Sequence, residues 1–319
     1  MKIETKIKFI RAGLITSFQG SQIYNLQHQG ITTSGPMDNF LSKIGNITMN
    51  NHEDSICFEI CKYGPKIQII KGKFIFLISG NINFFIKKKT KIIYGECNKS
   101  YEVNKDDIID IKDTINTNYA YLVFKGQIKN INDNIFKSSI ISSAIGLNNG
   151  NKIYDKDEYS INTIPYFNHR KITIDYNKFY NSNIRVINGP QMNYFKIKDI
   201  KRFFKKKFRI SKNLNRVGIR LLYNPVKPMF LSKFTSEGIV RGSIQVPNDG
   251  NPIILTSEHP TIGGYPKIAT VIIADFSKIA QLIEGSLFNF EQVSLNFALN
   301  EYHEFNKNLI ILKKNIVYL

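Results

Sequence analysis

The densest polar chemistry of this chain lies in residues 257–282, SEHPTIGGYPKIATVIIADFSKIAQL. Four polar side chains flank a pair of glycines there: Glu258, His259, Tyr265 and Lys267 around Gly263 and Gly264. Glycine adopts backbone conformations that other residues avoid and allows close approach to a ligand, and a buried strand behind such a loop holds it rigidly. The pattern favours a site for substrate binding or proton transfer, with a purely structural turn as the alternative.

A second stretch, GSIQVPNDGNPIIL at residues 242–255, carries Gln245 in an apolar strand context. A buried amide needs hydrogen-bond partners, so Gln245 either satisfies backbone groups or presents a donor and an acceptor to a ligand. The Asn-Asp-Gly sequence at 248–250 is typical of a hairpin turn, and we expect it to have a structural role.

Two arginines in RVGIRL, Arg216 and Arg220, are four residues apart. On an extended strand they lie on one face, where two planar guanidinium groups could hold one carboxylate or phosphate. The alternative is a pair of surface arginines bound to acidic side chains.

The loop GITTSGPMD at residues 30–38 leads into a predicted helix. The free N–H groups of a helix N-terminus suit an anion, and Asp38 is the expected N-cap. Asp38 could also orient the loop or a ligand. A tight turn followed by a capped helix is the alternative.

Short apolar runs separated by Gly, Asn and Asp predict a mostly β chain, because the runs have the length of typical strands. We predict strands at residues 67–70, 74–78, 119–124, 172–174, 184–187, 253–255 and 270–274. Helical spacing predicts one helix after Asp38, a second after Asp275 with Gly285 following its C-terminus, and a weaker helix at 195–204. The polar stretch 148–171 suggests a boundary between two β-rich halves, residues 1–165 and 166–319.

The chain has 319 residues, with 44 Lys and Arg against 25 Asp and Glu, and a formal net charge of +19. The basic residues are scattered without a zinc-finger spacing or an aromatic–basic RNA motif, so we expect no nucleic-acid partner. The N-terminal residues lack a sustained apolar segment and the longest apolar run is too short to cross a bilayer, so we expect no membrane association.

Three cysteines, Cys57, Cys61 and Cys97, cannot all pair in disulfides because their number is odd. No His, Cys, Asp or Glu residues at metal-ligand spacing accompany them, so we expect no bound metal. Free thiols are typical of a reducing compartment, and we therefore expect a cytoplasmic protein.

The longest stretch of these motifs, GSIQVPNDGNPIILTSEHPTIGGYPKIATVIIADFSKIAQLIEG, resembles the pattern GxIQVPxDGxPIxLxxDxQTTGGYPKIAxVIxADLxxLAQLxPG. RVINGPQMNYF is similar to RVxxGPQxxxF, RVGIRL to RMGxRL and GITTSGPMD to GVPxSGAMD. These patterns belong to the biotin-dependent carboxyltransferase family, which includes subunits of 5-oxoprolinase and allophanate hydrolase and an antagonist of a kinase inhibitor. The resemblance covers essentially the whole chain.

This resemblance implies a cyclophilin-like β-barrel architecture with a few short helices. It implies an ATP-dependent hydrolase of a cyclic amide, 5-oxoproline, in which this chain would be the C subunit and would act with a homologous B subunit and with the A subunit. ATP would be held by this chain or shared with its partner, and no Met-Lys-Met sequence is present for covalent biotin. Arg216, Arg220 and Lys267 would then contact anions, and Gln245, Glu258 and Tyr265 would bind substrate or transfer protons. The alternatives are a biotin-dependent carboxyltransferase component for a urea-like substrate and a non-catalytic regulatory protein.

The chain departs from the family pattern mainly in its N-terminal half. The motif VQDxGRxG stands here as FQGSQIYN at 18–25, so that Gln19 is kept while the acid is Gly20 and the arginine is Ile23. The motif GSRST falls at 135–139, where a lysine and two serines remain. Lost charges in this half favour the regulatory alternative.

Overall fold

The computed structural model describes residues 3–129, 136–164, 166–176, 180, 183–222, 225–229 and 235–319. The chain is mostly β and includes a nearly closed β-barrel, which confirms the predicted fold class. It divides into two compact units, each made of segments that are not contiguous in sequence. The N-terminal unit comprises Met1–Gln22, Asp38–Asp175 and Leu309–Leu319, and the C-terminal unit comprises Ile23–Met37 and Tyr176–Asn308.

The strands of the N-terminal unit form two large antiparallel sheets and two short strand pairs. In chain order they are β1 (Ile3–Arg11), β2 (Ile15–Gln19), β3 (Cys57–Cys61), β4 (Lys66–Lys71), β5 (Lys73–Ser79), β6 (Ile82–Lys87), β7 (Ile92–Tyr94), β8 (Ser100–Asn104), β9 (Ile108–Thr114), β10 (Tyr119–Phe124), β11 (Gln127–Ile128), β12 (Ser139–Ile140), β13 (Ile145–Gly146), β14 (Glu158–Thr163), β15 (Arg170–Lys171) and, at the C-terminus, β26 (Val317–Tyr318). One sheet has the order β11-β14-β1-β4-β9-β6-β7 and the other β2-β3-β10-β5-β8.

Alternation of apolar and polar residues produces these strands. In β1, Thr5, Ile7 and Phe9 face inward while their neighbours are more exposed, as expected for period-two alternation. Strand β10, by contrast, is buried along its whole length, because it is central in its sheet and α1 (Asn39–Thr48) contacts it. The predicted strands at 67–70, 74–78 and 119–124 are confirmed as β4, β5 and β10.

The C-terminal unit is built on an eight-stranded sheet. The strands of this unit are β16 (Ile184–Asn188), β17 (Phe208–Leu214), β18 (Gly218–Leu222), β19 (Glu237–Gly238), β20 (Ser243–Gln245), β21 (Ile253–Leu255), β22 (Ile262–Gly263), β23 (Lys267–Val271), β24 (Leu287–Phe288) and β25 (Phe290–Gln292). The sheet has the order β24-β17-β18-β21-β20-β23-β16-β25, and β19 pairs with β22 alone. Its core is aromatic at one end, where Phe203 stacks on Phe290 with ring centroids 4.8 Å apart.

Helices follow their sequence signals with two exceptions. The predicted helices are confirmed as α1, as α2 (Ile197–Lys205) and as α3 (Phe276–Gln281). Gly285, predicted to follow the C-terminus of α3 directly, instead lies beyond Leu282 in a turn, with φ of 84°. A further helix, α4 (Leu295–Lys314), was not predicted. No helix in the described ranges is long and apolar enough to cross a membrane.

Two predicted strands differ from the structure. Residues 172–174 form no strand, because the pairing in that region ends with β15. The polar stretch 148–171, which the sequence suggests as a boundary between the halves, contains β14, and β14 pairs with β1. The strand predicted at 270–274 begins three residues earlier, at Lys267, and ends at Val271, where the chain turns towards α3.

Candidate functional site

The centre of the candidate site is a pair of side chains on neighbouring strands of the C-terminal unit. Gln245 in β20 and Lys267 in β23 are register partners in an antiparallel pairing. The ladder is irregular between Ile244 and Gln245, but both side chains reach the same β19–β22 pair, Lys267 at Glu237 and Gln245 at Gly263, so both lie on one side of the sheet. The adjacent Ile244 points the other way into the core. The sequence IQV at 244–246 and the sequence PK at 266–267 therefore place one amide, of Gln245, and one ammonium, of Lys267, on the same face of the sheet.

Glu237 of β19 is the anion bound to this ammonium. The Lys267 Nζ donates a hydrogen bond to the Glu237 carboxylate, and the amide nitrogen of Gln191 donates to the same carboxylate oxygen. The Gln191 amide orientation is fixed, because its carbonyl oxygen accepts a hydrogen bond of 3.0 Å from the backbone N–H of Lys267. The Lys267 side chain is 5% exposed, whereas that of Glu237 is 49% exposed. A buried cation thus faces a carboxylate that reaches it from the solvent side.

Gln245 adds to the cluster an amide nitrogen that donates no hydrogen bond to the described residues. The residue is 6% exposed, and its amide nitrogen is buried without a hydrogen-bond partner among the described residues. Gly263, which pairs with Glu237 in the β19–β22 ladder, leaves room for this amide. A Cβ at Gly263 would lie 2.8 Å from the Gln245 amide nitrogen and 2.5 Å from Cδ1 of Ile239. A glycine is therefore needed at position 263 for this strand to approach the Gln245 amide so closely.

The expectation that the Gly263–Gly264 pair supplies an unusual backbone conformation is wrong, since neither residue has a positive φ. Space for the Gln245 amide is what requires a glycine at position 263. Gly264 and the half-exposed Tyr265 form the connection between β22 and β23. Tyr265 thus lies in this short connection, two residues before Lys267, the first residue of β23.

The electrostatics of the cluster follow from this geometry. The hydrogen bond from the Lys267 ammonium, together with its charge and the Gln191 amide, lowers the pKa of Glu237 below its ordinary value. Partial burial acts in the opposite direction but does not offset these contacts. Glu237 is therefore ionised at neutral pH, and the pair carries one positive and one negative charge.

Arg216 lies elsewhere and has different partners. It precedes β18, and its Nε donates to the Glu258 carboxylate at 2.5 Å while Nη2 donates to the Gly35 carbonyl at 2.8 Å. Arg216 is 7% exposed and Glu258 3% exposed, so this is a buried ion pair. The backbone N–H of Glu258 also donates to the Arg216 carbonyl at 2.6 Å. The Arg216 side chain is thus engaged with Glu258 and with the loop at 30–37.

The loop at 30–37 is held within the C-terminal unit by a second arginine as well. Arg241 donates from Nη2 to the carbonyls of Pro36 and Met37, and its guanidinium lies over the Phe276 ring at 4.8 Å from the centroid. The hydroxyl of Thr32 donates to the Ser257 carbonyl at 3.2 Å. These contacts indicate a structural role for the SGPM segment at residues 34–37.

Arg220 and Asp38 are also accounted for by local contacts. Arg220 lies within β18 and pairs with Asp249 of the turn after β20, so the structure does not bring the two guanidinium groups of Arg216 and Arg220 together. Asp38 caps α1 as predicted, accepting a hydrogen bond of 3.0 Å from the Leu41 N–H. In the N-terminal unit its own N–H donates to the Tyr121 hydroxyl, which donates to Glu59.

Sequence reasoning did not single out Glu237 or Gln191. Gln191 stands in the RVINGPQ motif, so a signal existed, but nothing indicated that its amide would reach Lys267. Glu237 lies between β18 and Lys267 in a stretch without apolar periodicity. Only the pairing of β19 with β22 brings its carboxylate to the ammonium.

The C-terminal unit also has a basic groove, defined here by Lys196, Lys198, Arg202 and Lys227. The groove has a volume of about 600 Å³ and is further lined by Asp199, Pro225, Pro228 and Met229. Arg202 donates to Asp199 and to the Pro225 carbonyl, while its buried Nε has no hydrogen-bond partner among the described residues. Four cations against one carboxylate make this groove suitable for an anion.

Three departures in the N-terminal half can be located. Gly20 is buried, and a Cβ there would lie 2.6 Å from the Lys137 carbonyl, so this position holds no larger side chain without a shift. Ile23 is a buried apolar residue of the C-terminal unit. Ser138 and Ser139 are buried and hydrogen-bonded, whereas Ile135 of the same motif lies outside the described residues.

Comparison with known proteins decides the family. The family model described as carboxyltransferase domain, subdomain A and B, matches residues 29–292. The chain belongs to this carboxyltransferase-domain family. The match includes the whole Gln191–Glu237–Gln245–Lys267 cluster.

Relatives of this carboxyltransferase domain are found among two kinds of protein. The C subunit of 5-oxoprolinase from Haemophilus influenzae is 26% identical over 308 residues, which are 93% of this chain and 91% of the relative. The urea amidolyase of Lachancea kluyveri is 27% identical over 304 residues, covering 84% of this chain but 16% of the relative. The crystal structure of the K. lactis urea amidolyase superposes with a TM-score of 0.84 at 22% identity, covering 98% of this chain and 21% of that one. The chain therefore spans about a fifth of the urea amidolyase, and that likeness shows the fold alone.

Proposed function

We propose that this chain is the C subunit of an ATP-dependent 5-oxoprolinase and acts with a homologous B subunit and with the A subunit in the cytoplasm. The observation that carries the proposal is the near-complete mutual coverage with the Haemophilus influenzae relative. A relative that matches over its own whole length supports a protein of the same organisation. The urea amidolyases, in which the matching region is a small part of the whole protein, support the proposal less.

The proposed reaction opens the lactam of 5-oxoproline to give glutamate. The lactam carbonyl is a poor electrophile, so its oxygen first attacks the γ-phosphate of ATP and releases ADP. Water then adds to the activated carbon, the C–N bond breaks with proton transfer to nitrogen, and loss of the phosphate with a second water gives the carboxylate. The protein contributes by positioning the reactants and by stabilising charge as it develops.

The Gln245–Lys267 face supplies groups of the kind this reaction needs. The unpartnered Gln245 amide can donate a hydrogen bond to the substrate carbonyl oxygen, and the Lys267 ammonium can compensate negative charge. Gln245, Gly263 and Lys267 are thus retained as binding groups, with Tyr265 in the adjacent connection. Glu258 and Arg216 are assigned to holding the loop at 30–37, because each satisfies the other in a buried pair.

ATP is the implied co-substrate, and the residues of the basic groove suit its phosphates. Lys196, Lys198 and Lys227 are cationic, and the buried Arg202 Nε has a donor that no described residue accepts from. We propose that this groove binds the triphosphate, alone or together with a partner subunit. ATP supplies the phosphoryl group that activates the lactam. No P-loop sequence is needed when lysine and arginine side chains hold the phosphates.

A second candidate function is a carboxyltransferase component for a urea-like substrate. The urea amidolyase relatives favour it, because this domain recurs in those proteins. Urea and 5-oxoproline share a planar amide carbonyl, so the Gln245 amide could bind either. Under this alternative a biotin carrier and a biotin carboxylase act alongside the chain.

Co-expression of the chain with candidate A and B subunits tests the proposal. The purified complex is incubated with ATP and 5-oxo-L-proline, and glutamate release is measured. In parallel it is supplied with urea, bicarbonate and a biotinylated carrier. Glutamate release that requires ATP and all three subunits supports the proposal. Carboxylation of urea without glutamate release establishes the second candidate, and a stable but inactive complex favours the regulatory alternative.

A further inference from the structure

Lys267 is a buried cation whose counter-ion comes from a side chain half in solvent. The Lys267 side chain is 5% exposed, and a buried ammonium requires an anion to offset the loss of hydration. Glu237 meets this need from the outside, since its own side chain is 49% exposed. Rotation of the Glu237 side chain would return its carboxylate to water without disturbing the backbone pairing of β19 with β22.

The donors around the Glu237 carboxylate form a set that another carboxylate could use. The Lys267 ammonium and the Gln191 amide converge on one carboxylate oxygen, and the Gln191 amide is held in place by the Lys267 backbone N–H. These donors belong to the eight-stranded sheet and its adjacent turn, whereas Glu237 belongs to the separate β19–β22 pair. The donor set is therefore built independently of the carboxylate that occupies it.

A second, independent observation points to a ligand at the same place. The Gln245 amide nitrogen is buried, belongs to a residue only 6% exposed, and has no hydrogen-bond partner among the described residues. A buried donor without a partner costs free energy, so such a group is normally matched when the site is occupied. Gly263 has no side chain to collide with this amide, so the donor can occupy its position beside the β19–β22 pair.

We propose that Glu237 occupies a carboxylate subsite and that the ligand of this site carries a carboxylate which displaces it. The ligand carboxylate binds Lys267 and Gln191, and a hydrogen-bond acceptor elsewhere in the ligand binds the Gln245 amide. A small molecule with a carboxylate and an amide carbonyl has this chemistry. The inference rests on the proposed function, and it specifies that the carboxylate of 5-oxoproline, and not only its lactam, is recognised here.

The test compares Glu237→Gln with the wild-type chain. Loss of the competing charge is expected to tighten the binding of 5-oxo-L-proline by about tenfold, measured by calorimetry with the purified chain and again with the three-subunit complex. Binding of 2-pyrrolidone, which keeps the lactam but lacks the carboxylate, is expected to change less than about twofold. Glu291→Gln, an exposed site in β25, removes the same charge from the same unit and serves as the matched control.

Equal affinities of the wild type and Glu237→Gln for 5-oxo-L-proline would overturn the inference. Tighter binding of both ligands would also overturn it, because the carboxylate would then not be the competing group. If neither protein binds 5-oxo-L-proline, glutarate or acetate at millimolar concentration, the carboxylate subsite does not exist. Glutamate release by the complex is a separate readout, so the proposed function can survive any of these results.

Discussion

Gln245 and Lys267 face the same side of the C-terminal sheet as register partners, yet of their two side-chain nitrogen atoms only Nζ of Lys267 has a side-chain partner in the described part of the chain. An ammonium bound to a half-exposed carboxylate and an amide nitrogen without a partner among the described residues therefore lie on the same face. Under the proposed function this asymmetry distinguishes side chains that stabilise the fold from side chains that bind a ligand, and the variants below test that distinction.

Replacing Gln245 by Leu is expected to reduce turnover without loss of stability. Its amide nitrogen makes no hydrogen bond to the described residues, so the free energy of unfolding should stay constant or rise by up to about 1 kcal/mol. The rate of glutamate release by the complex should fall about 10²–10³-fold, as for loss of one donor to a developing oxyanion. Urea unfolding and the glutamate assay measure the two quantities.

Gln191→Leu is the matched comparison for that variant. Both ends of the Gln191 amide are hydrogen-bonded, and its removal leaves the Lys267 N–H without its partner. We expect Gln191→Leu to lower the free energy of unfolding by about 1–3 kcal/mol. Equal destabilisation by Gln245→Leu and Gln191→Leu would show that the Gln245 amide has a structural partner in solution.

Replacing Arg216 by Met is expected to destabilise the protein strongly. The substitution leaves the Glu258 carboxylate buried without its cation, which should cost about 3–5 kcal/mol in urea unfolding. The double variant Arg216→Met, Glu258→Met should recover most of that loss, because no uncompensated charge remains. Arg220→Met, which breaks a partly exposed pair with Asp249, should cost less than about 1 kcal/mol.

That comparison also decides between two roles for Arg216. If Arg216→Met unfolds like the wild type but loses affinity for 5-oxoproline or for ATP, Arg216 contacts an anionic ligand as the sequence suggests. The buried contacts with Glu258 and Gly35 predict the opposite result.

His259 makes the stability of the C-terminal unit sensitive to acid. Burial, assisted by the positive charge of Arg241, lowers the pKa of His259 below its ordinary value of 6.5, although a hydrogen bond to the Pro260 carbonyl opposes this. As pH falls below about 6.5 the unfolded chain takes up this proton before the folded one. Stability is therefore complete above that pH and declines, by at most about 1.4 kcal/mol per pH unit, until the folded-state pKa is passed.

The pH dependence is measured by urea unfolding between pH 5 and pH 8 (roughly the range in which histidine titrates). His259→Gln should flatten the profile, whereas His303→Gln, at an exposed position in α4, should leave it unchanged. A profile of His259→Gln as steep as that of the wild type would contradict the assignment.

The basic groove is expected to bind triphosphate through charge. Lys198→Gln should weaken the binding of inorganic triphosphate and of ATP by about threefold to tenfold at low ionic strength, with the difference shrinking as salt screens the charges. Lys212→Gln, which removes a charge from an exposed position of β17 outside the groove, is the control. Equal effects of the two substitutions in calorimetric titrations would show only a general influence of net charge.

The elements that could be located from the sequence are those with a strong local pattern. The fully apolar runs became β5 and β10, and Asp38 before a helical pattern became the N-cap of α1. Helix α4 was not predicted, although Leu295, Tyr302 and Leu309 recur at helical spacing in its sequence. Leu309 is the one buried residue among the described residues of this helix, so its apolar side chains contribute little to a core.

Side-chain partners could be predicted only in part. The spacing of Arg216 and Arg220 suggested a shared anion, but Arg216 lies before the strand begins and turns to Glu258. The Gln245–Lys267 pair lies within the motif GxIQVP…GGYPK, and register pairing then fixes their common face. Glu237 could not be predicted, because its contact depends on the pairing of two short strands far apart in sequence.

The turnover of a complex containing Lys267→Met tests most directly whether the Gln245–Lys267 face binds the substrate. We expect ATP-dependent glutamate release from 5-oxoproline to fall at least about 100-fold, since the cation that binds the substrate carboxylate is lost. A complex containing Lys212→Met should retain the wild-type rate. Release by Lys267→Met within about twofold of the wild type, in a complex of normal stability, would contradict the role of this face in substrate binding.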